Sequence, residues 1–270
     1  MSTALDEHAE PAMRLDAVGF DVSGTILLKP MTLALPNRGM TGLVGQNGSG
    51  KSTLLKILAR QQPPSRGSVV FEGRSLGDWP DREFARRVAY LPQYTPLASG
   101  LTVRELVELG RYPWHGALGR FSTIDREKVD EALTVTSTHV FADRFVDSLS
   151  GGERQRAWLA MLIAQDARLL LLDEPISALD VAHQLSVLGL VRRLCLEKRI
   201  AVVIVIHDIN LAVRYCDEIV ALKAGELIVR GSPAEFMTAA RLREIYDVEM
   251  DVFPHPETGG TIAYVRGPGV

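Results

Sequence analysis

Cysteine is scarce: the chain of 270 residues has two, Cys195 and Cys216, neither at metal-binding nor redox spacing. That excludes a disulfide framework and a zinc ribbon, and the apolar surroundings of both predict buried free thiols. Long apolar runs are also missing. Apolar runs such as residues 169–172 and 201–206 fall far short of the roughly 20 residues a membrane span needs, so any membrane association must pass through a partner. Basic charge is not in excess either: 30 Lys and Arg against 33 Asp and Glu give a net charge of −3, which offers no field for grasping nucleic acid. The opening MSTALDEHAE lacks the basic n-region and apolar h-region of a secretory signal, so a cytosolic protein is expected. Internal repeats and low-complexity segments are absent. What is present, 46% hydrophobic and 23% charged residues, suffices for a sizeable core in one large α/β domain or two small ones.

The most informative stretch is residues 41–60, TGLVGQNGSGKSTLLKILAR. It reads as a buried strand, a glycine-rich turn and a helix, and the turn fits G-x-x-x-x-G-K-[ST] with Gly45, Gly50, Lys51 and Ser52. Glycines there let consecutive backbone N–H groups converge on a polyphosphate without a Cβ in the way. The following helix turns its unsatisfied amides and positive dipole end to the same point. Lys51 is spaced to reach the β/γ-phosphates and the Ser52 hydroxyl to ligate Mg²⁺. A plain glycine turn is the bland alternative; the apolar strand before it and the apolar-periodic helix after it favour a phosphate loop.

Around that loop, residues 13–22 and 25–35 carry β patterning interrupted by Ser23-Gly24 and predict a hairpin, with further strands at 40–44 and 67–71 in one mixed β layer. A short helix at 81–87 leads to a strand at 88–91 that ends in Pro92-Gln93. Residues 94–148 change to helix-forming composition: Thr102 and Glu105 make a capping box, and 125–133 reads as a second exposed helix. Between them residues 110–116, GRYPWHG, fit no regular element. Residues 149–164 open with a capping box of Ser150 and Glu153, which makes that helix start a second anion site. Leu169–Leu172 has the continuous apolar character of a parallel strand buried on both faces, and it ends in Asp173-Glu174. After a helix at 182–197, the strand 201–206 ends in His207-Asp208. Three strands thus deliver Gly45, Asp173 and His207 at their carboxyl ends, where ligands bind in open α/β sheets. A short helix at 209–215, a hairpin at 218–230 around Lys223-Ala224-Gly225, and helices near 233 and at 239–246 follow. From Pro254 the chain is rich in Pro and Gly, and a tail is expected.

The order of these motifs resembles the nucleotide-binding subunit of an ABC transporter. The phosphate loop is residues 45–53, the glutamine loop holds Gln93, LSGGERQ at 149–155 is similar to the family signature, 169–174 to Walker B, 177–180 to the D-loop, and His207 to the switch histidine. The likeness runs from about residue 13 to 231. It implies an α/β, ABC-type P-loop ATPase fold. The mixed-β and parallel-sheet nucleotide-binding core would be residues 12–93 and 149–231, and the inserted helical subdomain 94–148. A disordered N-terminal tail would occupy 1–11, and a C-terminal helical extension and tail 232–270.

The same resemblance implies ATP and Mg²⁺ as cofactors. ATP would be held by Gly45, Asn47, Gly48, Ser49, Gly50, Lys51, Ser52 and Thr53, and the metal by Ser52, Gln93 and Asp173. Glu174, beside Asp173, is the expected general base toward the attacking water. His207 would contact the γ-phosphate, and Gln93 would also sense the membrane partner. Ser150, Gly151 and Gly152 would close over ATP held by a second copy, with Asp180 linking the two sites, so the implied working unit is a head-to-tail dimer. The sequence departs from the family at Val22, where members often stack adenine on an aromatic residue, with Phe20 two residues earlier. It departs again at Ile176, and at 134–138, where TVTST replaces a frequent glycine turn and predicts shifted helix ends.

Residues 105–121, ELVELGRYPWHGALGRF, are similar to the ATPases of iron-chelate and vitamin B12 importers, most of all to that of the ferric hydroxamate (ferrichrome-type) importer. This implies a peripheral subunit at the cytoplasmic face of the inner membrane, bound to integral permease subunits and served indirectly by a periplasmic or surface siderophore-binding protein, with no nucleic acid. A groove between Gln93 and the helical insertion would receive a permease helix; residues 111–115 either contact that helix or pack the subdomain internally. Vitamin B12 and haem are alternative cargoes. A soluble ABC ATPase acting on DNA or ribosomes would be expected to carry a coiled-coil insertion, zinc-binding cysteines or a second ATPase domain, and the sequence has none of these.

Overall fold

The computed structural model describes residues 10–96, 98–116, 119–177, 179–257 and 259–267. Most of the expected N-terminal tail, and Ala178 of the D-loop segment, lie outside the described residues. The chain opens with the expected hairpin, β1 (Met13–Val22) and β2 (Thr25–Leu35), turned by Ser23 and Gly24 at positive φ. β3 (Gly39–Val44) feeds α1 (Lys51–Leu58), followed by β4 (Arg66–Phe71), β5 (Arg74–Ser75), α2 (Asp81–Ala85) and β6 (Val88–Leu91). Four helices come next: α3 (Val103–Leu109), α4 (Tyr112–His115), α5 (Thr123–Val135) and α6 (Gly151–Ala164). β7 (Leu169–Leu172), α7 (Val181–Lys198), β8 (Ala201–Val205) and α8 (Ile209–Tyr215) then alternate strand and helix. The hairpin β9 (Glu218–Lys223) and β10 (Glu226–Gly231) leads to α9 (Pro233–Phe236), α10 (Ala239–Tyr246), β11 (Met250–Pro254) and β12 (Thr261–Val265).

The β structure divides into separate sheets rather than one mixed layer. A six-stranded sheet has the order β10-β9-β3-β8-β7-β6, parallel except for β10, and a four-stranded antiparallel sheet has the order β2-β1-β4-β5. Two cores result. On one side of the large sheet, Leu43, Leu169, Leu171, Val203 and Val205 pack with Leu54, Leu55 and Leu58 of α1 and the apolar face of the antiparallel sheet. On the other side, Leu170, Leu172, Val202 and Ile204 pack with residues of α3, α5, α6 and α7. Strand side chains alternate between faces, so LLLL must be apolar throughout to serve both cores. The parallel register sets β3, β8, β7 and β6 side by side with their carboxyl ends at one edge.

Two further expectations change, at 112–115 and in the C-terminal tail, and the 134–138 turn is made without glycine. Residues 112–115 form one helical turn, with Pro113 in the first-turn position where its missing N–H costs nothing. After α5, Ser137 takes the left-handed conformation at φ 56 in place of a glycine. The buried Thr136 and Thr138 hydroxyls, 2.8 Å apart, tie that turn to the carbonyls of Ala132 and Leu133. The expected C-terminal tail contains the antiparallel pair β11 and β12. Its alternation, MDVFP against TIAYV, is β-type, with the Met250 and Ala263 side chains buried in the second core. Pro256, Gly259 and Gly260 belong to the turn between them and mask that pattern.

Candidate active site

Gly45 follows β3 at φ 134, and a Cβ there would stand 2.0 Å from the Leu222 carbonyl oxygen. Gly50 caps α1 at φ 99, where a Cβ would meet Leu28 at 2.4 Å. Only glycine fits either position. α1 has no side-chain cap and no acidic residue in its first turn, so its leading amides are left for an anion. A cavity of about 180 Å³ lies over them, lined by Leu27, residues 47–53 and Glu174. Lys51 is buried, and its Nζ donates to the carbonyls of Gly45 at 2.9 Å and Gln46 at 2.8 Å and to Ser49 Oγ at 3.2 Å. Burial pushes its ammonium below the usual lysine range, against the opposing charges of Glu174 and Asp173.

The edge formed by the neighbouring strands brings the acidic and amide groups together. Ser52 Oγ donates to Asp173 Oδ1 at 2.9 Å. Burial pushes the Asp173 carboxyl above the usual carboxylate range, with the Ser52 hydrogen bond opposing it and Glu174 adding to it. Glu174 adopts φ 50, a left-handed backbone that a non-glycine residue keeps only where its surroundings impose it. Its carboxylate is held at both ends: Oε1 lies 2.8 Å from His207 Nε2, and Oε2 accepts from Gln93 Nε2 at 2.8 Å. Lys51, Ser52, Gln93, Asp173, Glu174 and His207 therefore gather at one edge because β3, β8, β7 and β6 are neighbours.

The signature residues and Asp180 stand apart from this cluster. Ser150 caps α6 in a reciprocal box with Glu153, and Arg144 approaches the same Glu153. Asp180 caps α7 and holds His183, whose Nδ1 lies 2.8 Å from both carboxylate oxygens. The His183 ring lies against Gly152, where a Cβ would sit 2.7 Å from Cδ2. None of Ser150, Gly151, Gly152 and Asp180 lines the phosphate cavity. Gly151 borders a neighbouring depression with Gln93 and Glu174.

Residues 111–115 serve the interior of the insertion more than its surface. Arg111 is buried, bonding Asp125 Oδ1 at 2.8 Å and the Ala164 carbonyl at 2.7 Å, and the Trp114 indole donates to the Gln165 carbonyl. Tyr112 remains exposed. Val22 is exposed at the hairpin tip, while Phe20 packs half-buried on the first core. Several site neighbours were not legible in the motifs: Leu27 in the cavity wall, Gln46 inside the loop, and Tyr90 on β6. The Tyr90 hydroxyl is buried with no hydrogen-bond partner among the described residues, and burial and then the Asp173 charge push it up to about 12. His183 could have been found, because a side chain three residues after an Asp N-cap is placed to meet it.

The donor set fits Mg²⁺. Ser52 and Asp173 converge as hard oxygen donors, and among the described residues no group of three His, Cys, Asp or Glu could form a closed cage. An ion that keeps waters and binds substrate phosphates requires few protein ligands.

A family model described as ABC transporter matches residues 28–177. The iron(3+)-hydroxamate import ATP-binding protein of Bacillus subtilis is 37% identical over 247 residues, 92% of this chain and 92% of that protein. The hemin import ATP-binding protein of Streptomyces coelicolor is 45% identical over 223 residues, 82% of this chain and 78% of that protein. Among solved structures, a dimeric post-hydrolysis state of an ATP-binding cassette bound to ADP and Pi aligns with a TM-score of 0.72 and 29% identity, over 82% of this chain and 98% of that one. With the family model spanning more than half of the residues and relatives of this identity spanning most of them, the chain belongs to the ABC transporter family, as one of its ATP-hydrolysing subunits.

Proposed function

We propose that this ATPase energises uptake of ferric siderophores of the hydroxamate class, as a peripheral subunit at the cytoplasmic face of the inner membrane. It works as a head-to-tail dimer beneath integral permease subunits that receive cargo from a siderophore-binding protein. Among the described residues no helix is long and apolar enough to cross a membrane, which is in keeping with a separate permease. The observation that carries the catalytic part is the double hold on Glu174 by His207 and Gln93, next to the Ser52–Asp173 pair.

Lys51 exchanges its loop acceptors for oxygens of the β- and γ-phosphates, and the amides at the start of α1 take the remaining phosphate charge. Ser52, Asp173 and Gln93 are the residues that would hold Mg²⁺, which neutralises charge on the phosphates. Glu174 takes the proton of a water as its oxygen bonds to the γ-phosphorus and the bond to ADP breaks, leaving ADP and Pi. His207 and Gln93 keep the Glu174 carboxylate aimed, and His207 reaches the γ-phosphate. Glu174→Gln is expected to retain ATP binding, to lose about 10²–10⁴-fold in turnover, and to accumulate an ATP-bound dimer in gel filtration. Turnover at the wild-type rate would remove Glu174 from the base role.

The hydroxamate cargo is supported by the likeness of residues 105–121 and by the Bacillus subtilis relative. Haem is the second reading, favoured by the higher identity to the hemin import protein, with vitamin B12 as a third. Radioiron given as ferrichrome, with labelled haem and vitamin B12 in parallel, separates them in cells carrying wild-type or Glu174→Gln protein. Loss of ferrichrome iron alone supports the hydroxamate reading; loss of either other cargo instead reassigns it.

A further inference from the structure

The C-terminal residues contribute nothing to the catalytic cluster, yet they are bonded to the phosphate loop and to the first turn of α8, the helix that follows His207. The first tie runs through Asp247, the C-cap of α10, which holds a left-handed backbone at φ 57. Its Oδ2 accepts from Gln46 Nε2 at 3.1 Å, and the same Gln46 nitrogen donates to the Tyr246 carbonyl at 2.6 Å. Its Oδ1 accepts from Lys223 Nζ at 2.6 Å, and that ammonium also bonds the last-turn carbonyl of Glu244 at 2.7 Å. Gln46 is part of the phosphate loop, and its own carbonyl receives the Lys51 ammonium. Lys223 ends β9, whose Leu222 carbonyl backs Gly45 and whose turn donates from Gly225 N to the Ser49 carbonyl. The loop is thereby held from behind by β9 and from outside by α10.

The second tie runs through Asn210, in the first turn of α8 and three residues beyond His207. Its amide pairs with the main chain of Ala263 on β12 in both directions, accepting from Ala263 N at 2.8 Å and donating to Ala263 O at 3.1 Å. Between the two ties, the Tyr246 hydroxyl is buried without a hydrogen-bond partner among the described residues, close enough to Asp208 to feel its charge.

We infer that α10 and the β11–β12 hairpin form a strap that sets the phosphate loop and the switch segment relative to each other, with Asp247 and Asn210 as positioning residues. The inference rests on the ATPase reading of those two segments. It assigns the ties separable effects: the Asp247–Gln46–Lys223 tie governs how well ATP is held, and the Asn210–Ala263 tie governs how fast it is cleaved.

The test uses the full chain, with ATP affinity, KM, kcat and thermal midpoint measured for each variant. Asp247→Gly keeps the left-handed backbone available while removing the carboxylate, and Asp247→Asn keeps acceptor oxygen and tolerates the same conformation. The Gly variant is expected to raise KM about fivefold or more, the equivalent of one net hydrogen bond, with kcat changed less than KM; the Asn variant restores most of it. Gln46→Ala should reproduce the rise, and the Gln46→Ala, Asp247→Gly pair should be no worse than either alone, because they break one tie. Asn210→Ala should lower kcat with KM nearly constant. A fall in thermal midpoint with wild-type KM and kcat in Asp247→Gly and Asn210→Ala, or an Asn variant no better than Gly, overturns the strap. Lys51→Ala run alongside separates the two claims. If it abolishes ATP binding while the strap variants are kinetically silent, only the strap falls; if it binds ATP normally, the site reading falls and takes the strap with it.

Discussion

Two helices of this chain begin with glycine-rich sequence, and they are finished differently. α1 starts behind Gly50 with no side-chain cap and no acid in its first turn. α6 starts behind Ser150 with a reciprocal box that places the Glu153 carboxylate over its own backbone. An uncapped start with a buried lysine beside it is a complete anion site. A start that already carries its own carboxylate is satisfied alone, and it leaves the amides of Gly151 and Gly152, which the box does not use, to be offered elsewhere. In the head-to-tail dimer proposed above, this difference would let one helix start serve ATP bound to its own chain and the other meet ATP on a second copy; a dimeric cassette is among the solved structures the chain resembles.

The largest expected effect is at α1. Lys51→Ala removes the ammonium under the loop and should abolish ATP binding and turnover, measured by equilibrium binding of labelled ATP; normal binding would break the comparison at its stronger end. Gly152→Ala comes next. The added Cβ meets the His183 ring at 2.7 Å, so binding to the single chain should persist while the ATP-dependent dimer and turnover are lost. Loss of monomer binding instead would place the signature inside its own chain's site.

Arg111→Ala sharpens the comparison by loosening the packing of the insertion against α6, where Arg111 bonds the Ala164 carbonyl, without touching α1. It strands Asp125 in a buried setting and should cost about 3–5 kcal/mol in urea unfolding, with ATP affinity of the folded protein unchanged. The smallest effect is in pH. Burial raises the Asp125 carboxyl, but its hydrogen bonds from Ser122 and the Arg111 guanidinium outweigh this and hold it at about 2. That is below the ~3.9 of an unfolded Asp, so the stabilisation is complete above about pH 4 and fades as pH falls toward 2. Acid unfolding of Asp125→Asn should lack this component; an identical acid profile would remove the pair from the account.

The strands that position the site were legible because burial on two faces leaves no freedom of composition: LLLL and AVVIV have no other use in a small α/β protein. The glycines, Lys51 and the acidic pair were legible because phosphate chemistry allows few substitutes. Contacts across long sequence separation were not. Gln46 meets Tyr246 and Asp247 some 200 residues away, and no local pattern announces such a meeting. The β11–β12 hairpin was hidden by the Pro- and Gly-rich turn it encloses. Residues 112–115 looked irregular because a single helical turn is too short to show a period.

The central claim, that α1 and α6 serve different chains, is tested most directly by mixing two inactive variants, Lys51→Ala and Gly152→Ala. A head-to-tail mixed dimer pairs the intact phosphate loop of one chain with the intact signature of the other, so the mixture is predicted to regain ATP hydrolysis that neither variant shows alone. A mixture as inactive as its components would contradict the account.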